Sequence, residues 1–233
     1  MSEYHSGAYF VRRSRGGRGG YRAAGVLIVI LLVLSAAICL LIVFLPRLTA
    51  VSAGKSGFGG KTFYLLAVGK HTARDGALLS VQDTVGRGGA GYIYNDGEYN
   101  VIAAVYDREA DAKAISSINS GSYCIELSVP RLDSDGASEN AALEFLTGEW
   151  FTSMQSAADG LQRGNITEAQ AEKTAADLCS RLFLYADSVT LAPLKAAMLA
   201  ASEYSCPQST SVLSYIHYVH VRAIVLVSDA MTP

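Results

Sequence analysis

His217 and His220 are the residues of this 233-residue chain best spaced to hold a metal, because i and i+3 share one face of a helix. Zinc needs a third and usually a fourth ligand, and no further His or Cys stands at ligand spacing. No metal and no cofactor is therefore expected. Glu149 and Asp159 are carboxylates on a helical stretch and read as a solvated face. No GxSxG, HExxH or CxxC occurs, so neither an activated nucleophile nor a redox pair is indicated, and the chain reads as a non-enzyme. Cys39, Cys124, Cys179 and Cys206 have spacings that fit no zinc ribbon, and their pairing stays open.

The stretch GKSGFGGKT, Gly54 to Thr62, ends like a phosphate-cradling loop. That loop needs four residues before its final Gly-Lys-Thr, a strand ahead of it and a helix behind it. Here five residues separate Gly54 from Gly60, an apolar run precedes and a strand follows. The glycines read as slack in a tether.

A second kind of chemistry is recognition without reaction. Aromatic rings beside amide, hydroxyl and carboxylate groups suit a sugar, whose C–H face covers a ring while its hydroxyls bond the polar groups. Tyr92, Tyr94, Asn100, Ile102, Glu126 and Ser128 form such a set if strand alternation brings them to one sheet face.

The elements that position them are legible. Thr62–Gly69 reads as a strand, Ala73–Val85 as a helix, Tyr92–Tyr94 and Tyr99–Tyr106 as strands across an Asn95-Asp96-Gly97 turn. Glu109–Ile118 reads as a helix capped by Asp107, and Ser122–Val129 as a fourth strand. Alternation sends Tyr123, Ile125, Leu127 and Val129 toward those two helices, with Val101, Ala103 and Val105. Asn100, Ile102, Glu126 and Ser128 then lie on the opposite face. The order β-α-β-β-α-β is that of a split β-α-β, ferredoxin-like unit. Helices follow near 139–160, 168–188, 193–204 and 210–228, the second opened by Asn165 with Glu168. The last is apolar nearly all round and should be buried. The fold class is α+β with an all-helical C-terminal region.

Ala23–Leu45 holds 23 residues without charge or proline, about 34 Å of helix, enough to cross a bilayer core. Arg12, Arg13, Arg15, Arg18 and Arg22 precede it, which places the N-terminus in the cytoplasm and residues 47–233 outside. The chain divides into a Gly/Arg-rich tail (1–22), a transmembrane helix (23–45), a flexible linker (46–61), a module (62–132) and a helical region (133–233). A formal net charge of −2 argues against nucleic acid as a partner.

The module resembles a SPOR domain, the peptidoglycan-binding module of bacterial division and sporulation proteins. The resemblance rests on Ala67-Val68-Gly69-Lys70-His71 followed by Ala77, and on Tyr99-Asn100-Val101-Ile102-Ala103-Ala104-Val105-Tyr106 followed by Glu109-Ala110-Asp111-Ala112. Ala67 and Ala104 stand where that family often has a polar residue and a glycine. The resemblance implies a single-pass protein of the cell membrane that binds peptidoglycan glycan strands in division or sporulation. The alternative is a scaffold subunit of a membrane complex, with protein partners at the module or the C-terminal helices. A sheet face left free favours the glycan, and one covered by residues 139–228 favours the scaffold.

Overall fold

The structure, a computed structural model, describes residues 57–132 and 136–232. The tail at 1–22, the span at 23–45 and most of the linker at 46–61 lie outside the described residues. Among the described residues, no helix is long and apolar enough to cross a membrane.

The protein is α+β. Strands β1 (Lys61–His71), β2 (Tyr92–Asn95), β3 (Tyr99–Tyr106) and β4 (Tyr123–Val129) form one antiparallel sheet in the order β2-β3-β1-β4. Helix α1 (Arg74–Gly86) joins β1 to β2, and α2 (Glu109–Ile118) joins β3 to β4. Then come α3 (Ala137–Phe145), a π-helical turn (Leu146–Trp150), α4 (Phe151–Gln162), α5 (Glu168–Ser188), α6 (Ala192–Ser202) and α7 (Val212–Met231).

Local chemistry accounts for the boundaries. Gly97 takes φ 109°, and its N–H donates to Asn95 Oδ1 at 3.0 Å, which turns β2 into β3. Helix α5 opens with a reciprocal capping box between Thr167 and Gln170 rather than at Asn165 and Glu168. Asn165 is used instead to close α4, its N–H bonding the Gly160 carbonyl at 2.8 Å. Asp107 does not cap α2 either; Arg108 holds that position without a side-chain bond. Asp107 Oδ2 faces Lys61 Nζ at 3.8 Å.

The two faces of the sheet are packed differently. Register pairs Phe63 with Leu127, Leu65 with Ile125 and with Val105, and Ala67 with Tyr123 and with Ile102. Directly paired residues point the same way, so these form one face. The Phe63 ring lies 4.7 Å from that of Phe151 in α4, and Tyr92 lies 5.8 Å from Tyr218 in α7. This face is therefore covered by the C-terminal helices. On the other face Leu66, Val101 and Ala104 meet Ala77 of α1 and Ala112 of α2, all buried. Helices α1 and α2 thus cover one side and α4 and α7 the other.

This corrects the expected facing. Tyr123, Ile125, Leu127 and Val129 point to the C-terminal helices, not to α1 and α2. Val105 joins them because the β1–β3 register shifts on either side of Ala67, skipping Val68 and Ala103. A bulge reverses the parity that follows it.

The C-terminal side carries the main core. Leu146, Trp150, Phe151 and Met154 are all fully buried, as are Ile216, Val219 and Ile224 of α7. The π-helical turn shifts the helix face, so that consecutive Trp150 and Phe151 both reach the interior. The end of the linker is fixed on this domain. Phe58 is buried, its N–H donating to Asn140 Oδ1 at 2.8 Å and its carbonyl accepting from Leu132 N at 3.0 Å.

Candidate functional site

The six residues expected on one sugar-binding face are divided between two. Tyr92 pairs with Ile102 and Tyr94 with Asn100, so these four point toward α7. Glu126 pairs with Tyr64 and Ser128 with Thr62, on the side of α1 and α2, where both are exposed. The parity argument failed because it treated each strand alone, whereas the face a strand presents depends on its register with β1.

The α7 face leaves little room for a ligand. Ile102 is fully buried and Asn100 is 1% exposed. The Asn100 amide is also fully engaged: its Nδ2 donates to Asp96 Oδ1 at 2.7 Å and to the Glu98 carbonyl at 3.1 Å, and its Oδ1 accepts from the Tyr123 hydroxyl. Burial raises the Tyr92 hydroxyl above the usual phenol range, with Tyr218 adding to the shift. The last helix is tied down at both ends: Ser214 Oγ donates to the Val85 carbonyl at 2.9 Å, and Ser228 Oγ to the Ser128 carbonyl at 2.7 Å.

An open cleft lies elsewhere, at the C-terminal half of β3. It holds about 630 Å³ and is walled by α1, α2, α4, α7 and residues 103–106. That volume is within the range of ligand sites. Its chemistry is mixed. Val68, Ile115 and Ile118 are among its apolar lining; Ser80, Gln155 and Asp159 are among its polar groups. Arg87 and Asp83 also line it, paired with each other at 3.1 Å.

Asp159, His217 and His220 all line this cleft. Burial pushes His217 down to about 4, against the opposing pull of Asp159, and pushes His220 down to about 3, with His217 adding to it. Both rings are neutral near pH 7. The His220 ring sits 4.2 Å from Phe151 and 5.7 Å from Trp150, and its Nε2 has no partner among the described residues. Tyr106 is raised by burial and by Asp159. The Asp159 carboxylate has no hydrogen bond or ion pair among the described residues; it acts electrostatically on His217 and Tyr106.

Nothing in this arrangement gathers a metal: among the described residues, no group of three or more His, Cys, Asp and Glu side chains converges. Cys124, Cys179 and Cys206 are free thiols. Burial raises Cys179 to about 12, far from a reactive thiolate. Glu149, read as solvated, is exposed and bonds Arg181 Nη1 at 2.7 Å.

The sequence reading passed over the cleft. Asp159 looked like one more surface acid. The signal that pointed to it was the mismatch of strand lengths, a short YIYN against an eight-residue YNVIAAVY, since a short strand leaves part of its partner uncovered. Compared with family models, with curated proteins and with solved structures, the chain matches none.

Proposed function

We propose that this chain is a non-catalytic interaction protein of the cell envelope, held in the membrane by residues 23–45, with its α+β domain outside the cell. In this reading the 62–132 unit is a SPOR-like, ferredoxin-like module. Its strand order, β2-β3-β1-β4 with α1 and α2 on one side, supports that description. The module is built into a larger domain rather than displayed as a separate glycan-binding unit.

One observation carries the choice between scaffold and glycan platform: α7 and α4 lie across the sheet face on which Tyr92, Tyr94, Asn100 and Ile102 would have met a sugar. Opening that face would expose Phe63, Leu65, Ile102 and Val105 to water. Burying each large apolar side chain is worth roughly 1.5–3 kcal/mol, so the opened state is strongly disfavoured. The surface left for a partner consists of the cleft and of apolar side chains such as Leu79 and Leu184.

Co-sedimentation of the full chain, in detergent, with purified sacculi tests the reading. The interaction protein stays in the supernatant, and in-cell cross-linking from the cleft rim yields discrete heavier species. Saturable sedimentation with sacculi would return the protein to the glycan-binding class implied by the SPOR resemblance.

A further inference from the structure

We infer that the cleft at the C-terminal half of β3 binds a small organic cation, an amine carried on an apolar body, with the Asp159 carboxylate as its anchor. The inference goes beyond the interaction reading above and stands or falls separately from it.

Three elements from distant parts of the chain bring the polar groups together. Asp159 is placed by α4, Tyr106 by the end of β3 and His217 by α7; all three line the cleft and are half-buried. Asp159 lies within electrostatic reach of the other two, pulling upward on both the Tyr106 phenol and the His217 imidazole. None of the three side chains has a hydrogen bond or ion pair among the described residues. His220 also lines the cleft, and its buried Nε2 has no partner there either. Buried polar groups in folded proteins are nearly always paired. A few convergent polar groups in a concavity, some with shifted proton affinities, mark a ligand site.

Charge selects the sign of the ligand. The ionised side chains that line the cleft are Asp83, Arg87 and Asp159. Asp83 and Arg87 pair at 3.1 Å, so neither is free to receive a ligand charge, whereas the Asp159 carboxylate is. His217 and His220 are neutral near pH 7 and add no positive charge. A neutral imidazole keeps one acceptor nitrogen, so His217 can take a second N–H of an ammonium group held by Asp159. The Tyr106 ring offers the face that attracts cations.

The rest of the lining selects an organic body. Among the described residues, no group of three or more metal-ligating side chains converges, which argues against a bare metal ion. Val68, Ile115 and Leu213 line the cleft, and Val68 and Ile115 stay 37% and 38% exposed. Apolar side chains in a concavity of 630 Å³ suit a drug-sized molecule rather than water alone.

The test titrates the full chain in detergent with phenethylamine and tryptamine, with their alcohols phenethyl alcohol and tryptophol, and with the acids phenylpropionate and indolepropionate. At least one amine is expected to bind about tenfold or more tightly than its alcohol, and the acids more weakly still, with a gap that narrows as salt rises. The ring-proton resonances of His217, identified by their loss in His217→Gln, should shift on binding. Asp159→Asn, nearly isosteric, should remove the preference for the amine, and Gln155→Trp, which fills the cleft from α4, should abolish binding. Should the tryptophan variant fail to fold, the asparagine variant and the His217 resonances still decide. Binding of neither amine overturns the inference. So does equal binding of amine and alcohol, or an amine preference that survives Asp159→Asn. Disaccharide fragments of peptidoglycan that shift the His217 resonances where the amines do not would assign the cleft to a sugar and overturn it too. Discrete cross-linked adducts in cells together with a failed amine test would leave the interaction reading standing and remove only this site.

Discussion

The two faces of the sheet are built from different materials. Between the sheet and the C-terminal helices lie Phe63, Leu65 and Ile102 with Trp150 and Phe151, all fully buried. Against α1 and α2 the contacts are made by Ala77, Ala104, Ala112, Val101 and Leu66, while Leu79 and Ile118 remain more than two-thirds exposed at 72% and 77%. Large side chains interdigitate and exclude water; small ones let helices approach but leave gaps. One face therefore anchors the fold, and a cleft opens where the thinner side meets α4 and α7.

Truncating the anchoring side should do the most damage. Phe151→Ala removes a ring in contact with both Phe63 and His220, and should cost about 3–5 kcal/mol in urea unfolding of the full chain. Val101→Ala, the matching truncation on the thin side, should cost about 1–2 kcal/mol. Equal losses would break the comparison.

Glu139 tests whether the anchoring layer also depends on buried charge. It is 4% exposed, and its Oε1 accepts from Thr190 N at 2.8 Å, Thr190 Oγ1 at 2.5 Å and Leu191 N at 3.2 Å. These bonds fix the chain between α5 and α6. Glu139→Ala should cost about 2–4 kcal/mol by leaving those donors unpaired. Thr190 and its backbone bond hold the carboxyl down to about 2. Its stabilisation is thus present above the unfolded carboxylate range near pH 4.5, and is lost as pH falls toward 2.

The histidines sharpen the same contrast by acid. Their folded values, about 4 and about 3, lie below the ordinary 6.5. Below pH 6.5 the unfolded chain takes up protons that the folded chain refuses, so stability falls as pH drops from about 6.5 through 4. A urea midpoint that stays level between pH 7 and pH 4 would contradict the burial of both rings. His217→Gln should flatten part of the slope.

The smallest effect belongs to the exposed thin side. Ile118→Ser should shift stability by no more than about 0.5 kcal/mol, because the side chain is largely in water already. A larger loss would mean that α2 packs more tightly than its exposure shows.

Much of this architecture was legible before the fold was seen. Period-two runs such as YNVIAAVY and the Asn-Asp-Gly turn placed β3 and its hairpin, and β3, α2 and α5 fall on the residues expected for them. The apolar surround of SVLSYIHYVHVRAIVLVS foretold a buried last helix, and α7 is one. Capping was less legible: Asn165 and Thr167 are both plausible caps by type, and only the reach of Thr167 Oγ1 to Gln170 N at 3.3 Å separates them. The site was less legible still. Asp159 gains its meaning from Tyr106 and His217, which lie far from it in sequence.

The sequence by itself determined which segments are strand and which are helix, because hydrophobic period and turn chemistry are local. Only the tertiary structure decided which sheet face is dry. Alternation states that a strand has two faces, but which face meets α7 is set by register across β1 and by the skipped residues Val68 and Ala103. The same packing made a cleft at the C-terminal half of β3, because α4 and α7 arrive beside it from the far end of the chain.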